Sequence, residues 1–475
     1  MKPGPAQRTA RARARAKKRK REAGIALVMV MGAVAILTVM LAEFQDETSA
    51  ELAAATGQRD SLQAEYMAKS AVNLARLLIA SEPTMRKTIA PLFMLMKRTP
   101  PQLPVWEFSD RLLGAFNDEE SSKDFATTVG LDMSQGKNLG MTGGKYELVI
   151  VDEDSKINVN LGAANDIAHI RLAQEVMSLI GPPQYSTIFE QKDGTGQFHD
   201  RVSVCQAIID WADVDEQAFN CDLSQLSAAQ NAGVEDAWYR LLPKPYRRKN
   251  APYDSLEEMH MVRGVSEDVW STFIDPDPTN PKKRVVTVWG QGAVNVNTAN
   301  AQTLLGVVCA GAPLSDICTK PDQAGLFLTG VTMARGITMG APMFGSTRDF
   351  VSAMTGKGQL GPLLAAMGMK PVVFKSPADF QKSITTESKM FSIYAVGVKK
   401  GYRRETRVQI HAVVDFRSAP SLTAPTPMTN PLGGPSTAMG ATGTSGATST
   451  PSSVEAIAAA NAPSTGGTVV YYRVQ

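Results

Sequence analysis

Arg19-Lys-Arg-Glu-Ala-Gly24-Ile25-Ala-Leu-Val-Met-Val-Met-Gly-Ala-Val-Ala-Ile-Leu-Thr-Val-Met-Leu-Ala42 is the stretch on which the reading of the chain turns. From Ile25 to Ala42 it contains no charge and no proline. As an α-helix this segment extends about 27 Å, close to a hydrocarbon core of ~30 Å. Ahead of it, residues 1–24 carry ten Lys and Arg against one acid, Glu22. Basic charge before a single apolar segment keeps the N-terminus in the cytoplasm and places everything after Ala42 outside. A secretory signal would show a small-x-small cleavage site after the apolar run. Met40-Leu-Ala-Glu-Phe44 is poor for that, and the small residue, Gly24, lies before the run instead. An uncleaved signal anchor is the simplest reading of these features.

The chain has 475 residues, enough for about three folding units. Its 49 basic and 46 acidic residues give a net charge of +3, but removing the ten bases and one acid of the leader leaves 39 against 45, or −6. The basic charge is therefore a terminal tail, which argues against a polyanion-binding body. A hydrophobic content of 43% excludes a multi-pass membrane protein. Four cysteines are too few for a disulfide scaffold and enough for two bridges.

The basic leader, Gly24 and the apolar run from Ile25 resemble the leader of type IV pilins and pseudopilins. The resemblance implies that a prepilin peptidase cuts after Gly24 and methylates Ile25, leaving the apolar helix in the bacterial inner membrane and the body in the periplasm. Most such subunits carry Glu at the fifth mature position, where this chain has Met29. A carboxylate at membrane depth is costly unless paired, and in a filament its partner is the ammonium of a neighbouring subunit. A subunit with no neighbour on that side has no use for it. In this respect the chain resembles the minor pseudopilin K family of type II secretion, the proposed tip subunit.

Beyond the anchor, Leu62, Tyr66, Ser70, Leu74 and Leu78, with Ala71 and Leu77 beside them, mark one face of a continuing helix. Gly57 weakens the pattern and Pro83 is expected to end it. Residues 64–75 resemble the pseudopilin stem that packs on a small sheet, although any amphipathic helix after an anchor would fit too. Tyr146–Val151, Phe391–Val398 and Thr406–Val414 read as strands, the last two forming a hairpin around Lys399-Lys-Gly-Tyr402. In residues 418–467, 41 of 50 are Gly, Pro, Ser, Thr or Ala and Glu455 is the only charge, so the segment reads as a disordered connection. Thr468–Val474 is an apolar strand that most economically returns to the same sheet. The expected fold is α/β: an N-terminal transmembrane helix, then a pilin-like long helix plus antiparallel sheet interrupted by a large, mainly α-helical insertion. Its expected parts are a leader (1–24), transmembrane helix (25–42), stem helix (43–82), first part of the pilin-like domain (83–160), helical insertion (161–387), pilin-like sheet (388–417), low-complexity loop (418–467) and terminal strand (468–475).

The insertion contains an internal echo. Lys156-Ile-Asn-Val-Asn-Leu-Gly-Ala-Ala164 and Ala293-Val-Asn-Val-Asn-Thr-Ala-Asn-Ala301 share an Asn-Val-Asn core followed by small residues and a helical pattern, with asparagine or threonine able to cap the coming helix. Asn-Val-Asn-Thr-Ala resembles the start of helix-hairpin-helix modules, but a DNA role would want a Gly-x-Gly hairpin and nearby bases, and neither follows Asn297. The same motif recurs in the pseudopilin K insertion. So, in order and spacing, do Ile208-Ile-Asp-Trp-Ala-Asp-Val-Asp-Glu216, Gly233–Tyr239, Pro243-Lys-Pro-Tyr246 and Ser255–Gly264.

Asp210, Asp213, Asp215, Glu216, Asn220 and Asp222 concentrate oxygen donors of the kind that hard cations take, without the glycine of an EF-hand. The resemblance implies calcium in this insertion, with Asp213, Asp215, Glu235 and Asp236 as candidate ligands; the alternative is a solvated acidic loop in which Asp210 caps or pairs. Exported cysteines meet an oxidising compartment, so Cys205 is expected to pair with Cys221 around the acidic cluster, and Cys309 with Cys318 in a shorter loop.

Catalytic motifs are missing from the sequence. His169, His199, His260 and His411 show no helix-face pairing, and there is no Gly-x-Ser-x-Gly, which leaves a membrane-anchored periplasmic hydrolase without a nucleophile and base. Gly144-Lys-Tyr146 and Gly356-Lys-Gly358 are fragments of a phosphate loop at most: Leu139 and Val351 stand where the leading glycine belongs, neither Lys precedes Ser or Thr, and both are expected as turns. The chain is expected to work by assembly. The resemblance implies as partners the I- and J-type minor pseudopilins, the major pseudopilin, the prepilin peptidase and the inner membrane, with no nucleic acid. A minor subunit of a type IV pilus is the alternative.

Overall fold

The computed structural model describes residues 5–95, 99–114, 116–117, 123, 144–189, 192, 198–222, 236–338, 340–358, 360–401, 404–420 and 464–475. Its first element is a single helix of 91 residues, α1 (Pro5–Leu95), that joins leader, apolar run and stem. The expected stop at Pro83 does not occur, and Pro83 and Pro91 both lie inside the helix. An interior proline costs about 3 kcal/mol in an isolated helix. Here tertiary bonds hold the turns around it. Buried Glu82 accepts the Leu103 N–H at 2.9 Å and pairs with Arg86 at 3.0 Å, and Arg86 reaches on to Glu387 at 2.5 Å.

Strands β1 (Gly144–Asp152), β6 (Met390–Lys400), β7 (Glu405–Asp415) and β8 (Thr468–Val474) form one antiparallel sheet in the order β1-β6-β7-β8. The β6–β7 hairpin and the return of β8 beside β7 follow the sequence expectation. Gly144-Lys-Tyr146, expected as a turn, instead opens β1. Ile150, Phe391, Ile393, Ala395, Ile410, Ala412 and Val414 face α1 and close a core with it. The helix meets them with Ala64, Met67, Ala68, Ala71, Val72, Ala75 and Leu78; of the residues whose spacing marked a face, Ala71 and Leu78 are buried here and Leu74 packs alongside, whereas Leu62, Tyr66 and Leu77 are exposed. The reason is distance. Gly397 lies against the Ala64 carbonyl and the Ala68 amide, so the helix approaches the sheet along its smallest side chains.

The chain leaves the sheet at Asp152 and re-enters at Met390. Everything between has its own core, which starts at Ile157 and Val159, ahead of the expected boundary at 161. Its longer helices are α2 (Asp166–Ile180), α3 (Arg201–Asp210), α4 (Ala301–Gly311), α5 (Pro321–Ile337) and α6 (Thr347–Met354). Short strands β2 (Ile157–Asn158) and β3 (Val286–Thr287) pair in parallel, as do β4 (Val294–Asn295) and β5 (Ile384–Thr385).

The sequence echo is a structural one. Asn158 accepts the Asn160 N–H at 2.9 Å, and Asn295 accepts the Asn297 N–H at 3.0 Å. The second asparagine of each pair then grips a remote backbone. Asn160 takes the Tyr253 N–H at 2.7 Å and gives to the Tyr253 carbonyl at 3.0 Å, while Asn297 takes the Phe344 N–H at 3.0 Å and gives to the Phe344 carbonyl at 2.9 Å. The helices that follow are capped alike, by Asn165 on the Ala168 N–H and Asn300 on the Thr303 N–H.

Candidate functional site: the anchor, the junction and the acidic cluster

Three regions position the candidate residues. In the first, every large apolar side chain of α1 from Ile25 to Leu41 is exposed, Met29 among them, and the helix is long and apolar enough to cross a membrane. Gly24 and Ile25 lie inside the unbroken helix.

The second region is the junction of sheet and insertion, which the sequence reading passed over although Asp152-Glu-Asp-Ser-Lys156 at the end of an apolar strand is an unusual run. All five residues are buried. Asp152 accepts the hydroxyls of Thr298 and Ser388, each at 2.5 Å. Asp154 accepts the N–H groups of Gln291 at 2.8 Å, Lys389 at 2.7 Å and Met390 at 3.1 Å, so one carboxylate ties the exit strand to the re-entry strand. Lys156 pairs with Glu153 at 3.0 Å. Burial, then the charge of Asp154, pushes Asp152 up to about 7. Burial also raises Asp154, against the opposing pull of its backbone donors.

The third region is the acidic cluster after α3. Asp213 is buried and Asp215 is exposed, with its side chain turned back onto the Gln217 N–H at 2.7 Å. The residue that organises them is Arg248, also missed, whose signal was the basic run Arg247-Arg-Lys249 just beyond Pro243-Lys-Pro-Tyr246. Its guanidinium donates to the carbonyls of Asp210 at 3.0 Å and Asp215 at 2.8 Å, and lies 3.9 Å from Asp213 Oδ1 and 3.5 Å from Asp236 Oδ1. Asp210 accepts the Phe219 N–H at 2.9 Å. Burial pushes Asp210 and Asp213 up to about 7, the latter helped by the charge of Asp215. Three of the four candidate ligands, Asp213, Asp215 and Asp236, thus surround one arginine; Glu235 lies outside the described residues, as does most of the low-complexity segment. Among the described residues no group of three or more His, Cys, Asp or Glu side chains is arranged to hold a metal ion. Two buried carboxylate oxygens, Asp213 Oδ1 and Asp236 Oδ1, do lack a hydrogen-bond donor, which is the kind of atom a cation would take up.

Both cysteine pairs are bridged. Cys205–Cys221 joins α3 to the end of the acidic loop with the Cα atoms 6.1 Å apart, and Cys309–Cys318 spans 5.5 Å beside α4. Gly356 and Gly358 form the expected turn, both at positive φ.

One long helix laid on an antiparallel sheet, with a helical insertion between the first two strands, defines a pilin-like fold carrying an inserted domain. The particular likeness is to a chain of "The Crystal Structure of the GspK-GspI-GspJ complex from enterotoxigenic Escherichia coli Type 2 Secretion System", at 14% identity over 76% of this chain and 93% of that one, with a TM-score of 0.41. No family model and no curated protein matches the sequence.

Proposed function

We propose that the chain is a non-enzymatic minor pseudopilin at the tip of a type II secretion pseudopilus, where it initiates or caps assembly for protein export across the outer membrane. The observation that carries this reading is the division of α1 into two unlike halves. From Ala64 onward its small side chains close on the sheet, whereas from Ile25 to Leu41 its large apolar side chains are exposed. A bare apolar half needs lipid around it, or the equivalent helices of other subunits. The I- and J-type minor pseudopilins and the major pseudopilin are the partners this reading implies, after a prepilin peptidase has cut at Gly24 in an inner membrane that the chain enters with its N-terminus cytoplasmic. Met29 and the bulk of residues 153–389 support a terminal position. A head of that size should clash if repeated every few ångströms along a filament, and is harmless at an end.

The test is Met29→Glu in cells that depend on this chain for secretion. At a tip the new carboxylate has no partner, so secretion stays near the unsubstituted level, and overproduction gives more and shorter filaments. Long homogeneous fibres of this chain would end the tip reading.

Calcium at the acidic cluster belongs to the same proposal. Asp213, Asp215, Glu235 and Asp236 would hold the ion, whose charge would neutralise their carboxylates beside Arg248. Thermal unfolding of the full chain in EGTA and in millimolar calcium decides it: a calcium-dependent rise lost in Asp213→Asn supports the site, and identical curves reject it.

A further inference from the structure

Among the described residues five methionines line a single cavity. Met333, Met343, Met354, Met367 and Met369 converge from α5, the α5–α6 connection, α6 and the segment after α6 on a space of about 300 Å³ whose walls are otherwise almost wholly apolar. Methionine walls are deformable and accept differing apolar shapes. The space is a groove with an uncovered rim, because Ile337, Leu363 and Met333 line it and remain exposed to solvent. Exposed contiguous apolar surface of this kind marks an interaction site.

Among the described residues one charged side chain lines the groove, Arg335. Its Nη2 reaches only the Val296 carbonyl, at 3.5 Å, and its Nε is buried without an acceptor. Among the described residues it makes no salt bridge. Glu107, the acid whose charge reaches it, is held by Lys282 at 2.9 Å. Burial lowers the guanidinium to about 10. A cation left this way in an apolar wall is costly unless something brings it a counter-charge.

We propose that this groove receives an amphipathic α-helix of a partner protein, one that carries a carboxylate at the edge of its apolar face to pair with Arg335. The apolar face supplies anchors at helical spacing for the methionine wall, and the carboxylate meets the one unmatched charge. A helix brings apolar anchors and a fixed carboxylate together on one surface, which suits a groove that carries both exposed apolar side chains and Arg335. The inference stands on the groove and does not depend on the pseudopilus reading.

The test uses the full chain in lipid nanodiscs and two fluorescent helical peptides about five turns long. Each has Leu and Met on one face, and a single Glu or a single Lys stands at the edge of that face. The Glu peptide is expected to bind saturably and the Lys peptide at least about tenfold more weakly. Arg335→Glu reverses that order. Leu363→Asp and Ile337→Asp, at exposed positions that leave the fold intact by circular dichroism, weaken both peptides. A benzophenone placed at position 363 then forms its adduct with the peptide. Equal affinity for the two peptides, or adducts with nanodisc lipid or a second copy of the chain in place of the peptide, overturns the proposal.

Discussion

Gly397 in β6 and Ala64 in α1 are in backbone contact, with the Ala64 carbonyl lying where a β-carbon on residue 397 would sit. This is the point at which the stem helix is pressed onto its sheet, and it fixes which side of the helix faces inward. Gly397→Ala would lift the helix along Ala68, Ala71 and Ala75 and open a gap that no neighbouring side chain can fill. The expected cost is about 3 kcal/mol or somewhat less, read as a fall in the thermal midpoint of the full chain. Ala at Leu62 or Tyr66, both exposed, should leave that midpoint within about 0.5 kcal/mol of its starting value.

Gly24 is the processing residue in the proposed function. Intact-mass measurement of chain extracted from membranes should show Ile25 as a methylated first residue. Gly24→Glu should leave the leader attached, and a native Met1 end in the unsubstituted chain would reject processing altogether.

Asp154 joins three backbone N–H groups from two segments far apart in sequence. Asp154→Ala strands those donors in the interior, at a cost of about 3 kcal/mol or more. Asp154→Asn keeps one acceptor oxygen and should cost less. Hydrogen exchange at Lys389 and Met390 is the local reading, and both amides should exchange faster in the alanine variant.

Glu175 in α2 is fully buried, and neither carboxylate oxygen has a hydrogen-bond donor. Arg171 lies 3.9 Å away but gives its terminal N–H groups to the carbonyls of Lys382 and Gly292. Burial pushes Glu175 up to about 7. The folded chain therefore holds a proton that the unfolded chain releases near the ordinary glutamate value of 4.5. The native state is most favoured below that value and loses stability as the pH rises to about 7, by roughly 3 kcal/mol. Glu175→Gln should flatten this slope and be the more stable protein at pH 8. Denaturant midpoints across that range measure it, and parallel curves for the two proteins would contradict the assignment.

The anchor, the hairpin and the terminal strand were legible because each follows from a short-range pattern: an uncharged run, an alternation, a return after a polar connection. The stem was legible as a helix, and its facing only toward the C-terminal end, where Ala71, Leu74 and Leu78 do meet the sheet. The pattern of large apolar residues pointed at Leu62 and Tyr66, and the decisive contact belongs to a glycine more than 300 positions away. Its length was missed for a related reason, since the bonds that carry the helix past Pro83 come from Leu103 and Glu387. The cysteine pairs were legible from proximity in sequence. Arg248 was not: a guanidinium that gathers carbonyls and carboxylates from residues 210 to 236 leaves only a basic residue in a basic run. The asparagine echo was visible as a repeat, but its work, one amide holding a remote peptide group, appears only when Tyr253 and Phe344 are in place.

The unbroken course of α1 sets a height. Residues 43–59 separate the apolar run from the first buried stem residue, Asp60, and most of them are exposed. Seventeen helical residues rise about 26 Å. With the apolar run in a bilayer, as proposed, the folded head stands on a largely exposed stalk about two Debye lengths of ~8 Å beyond the headgroups, so the charge of the bilayer surface reaches it strongly screened. In that arrangement whatever approaches the chain close to the membrane meets an exposed helix, and the sheet and insertion form a separate, higher tier.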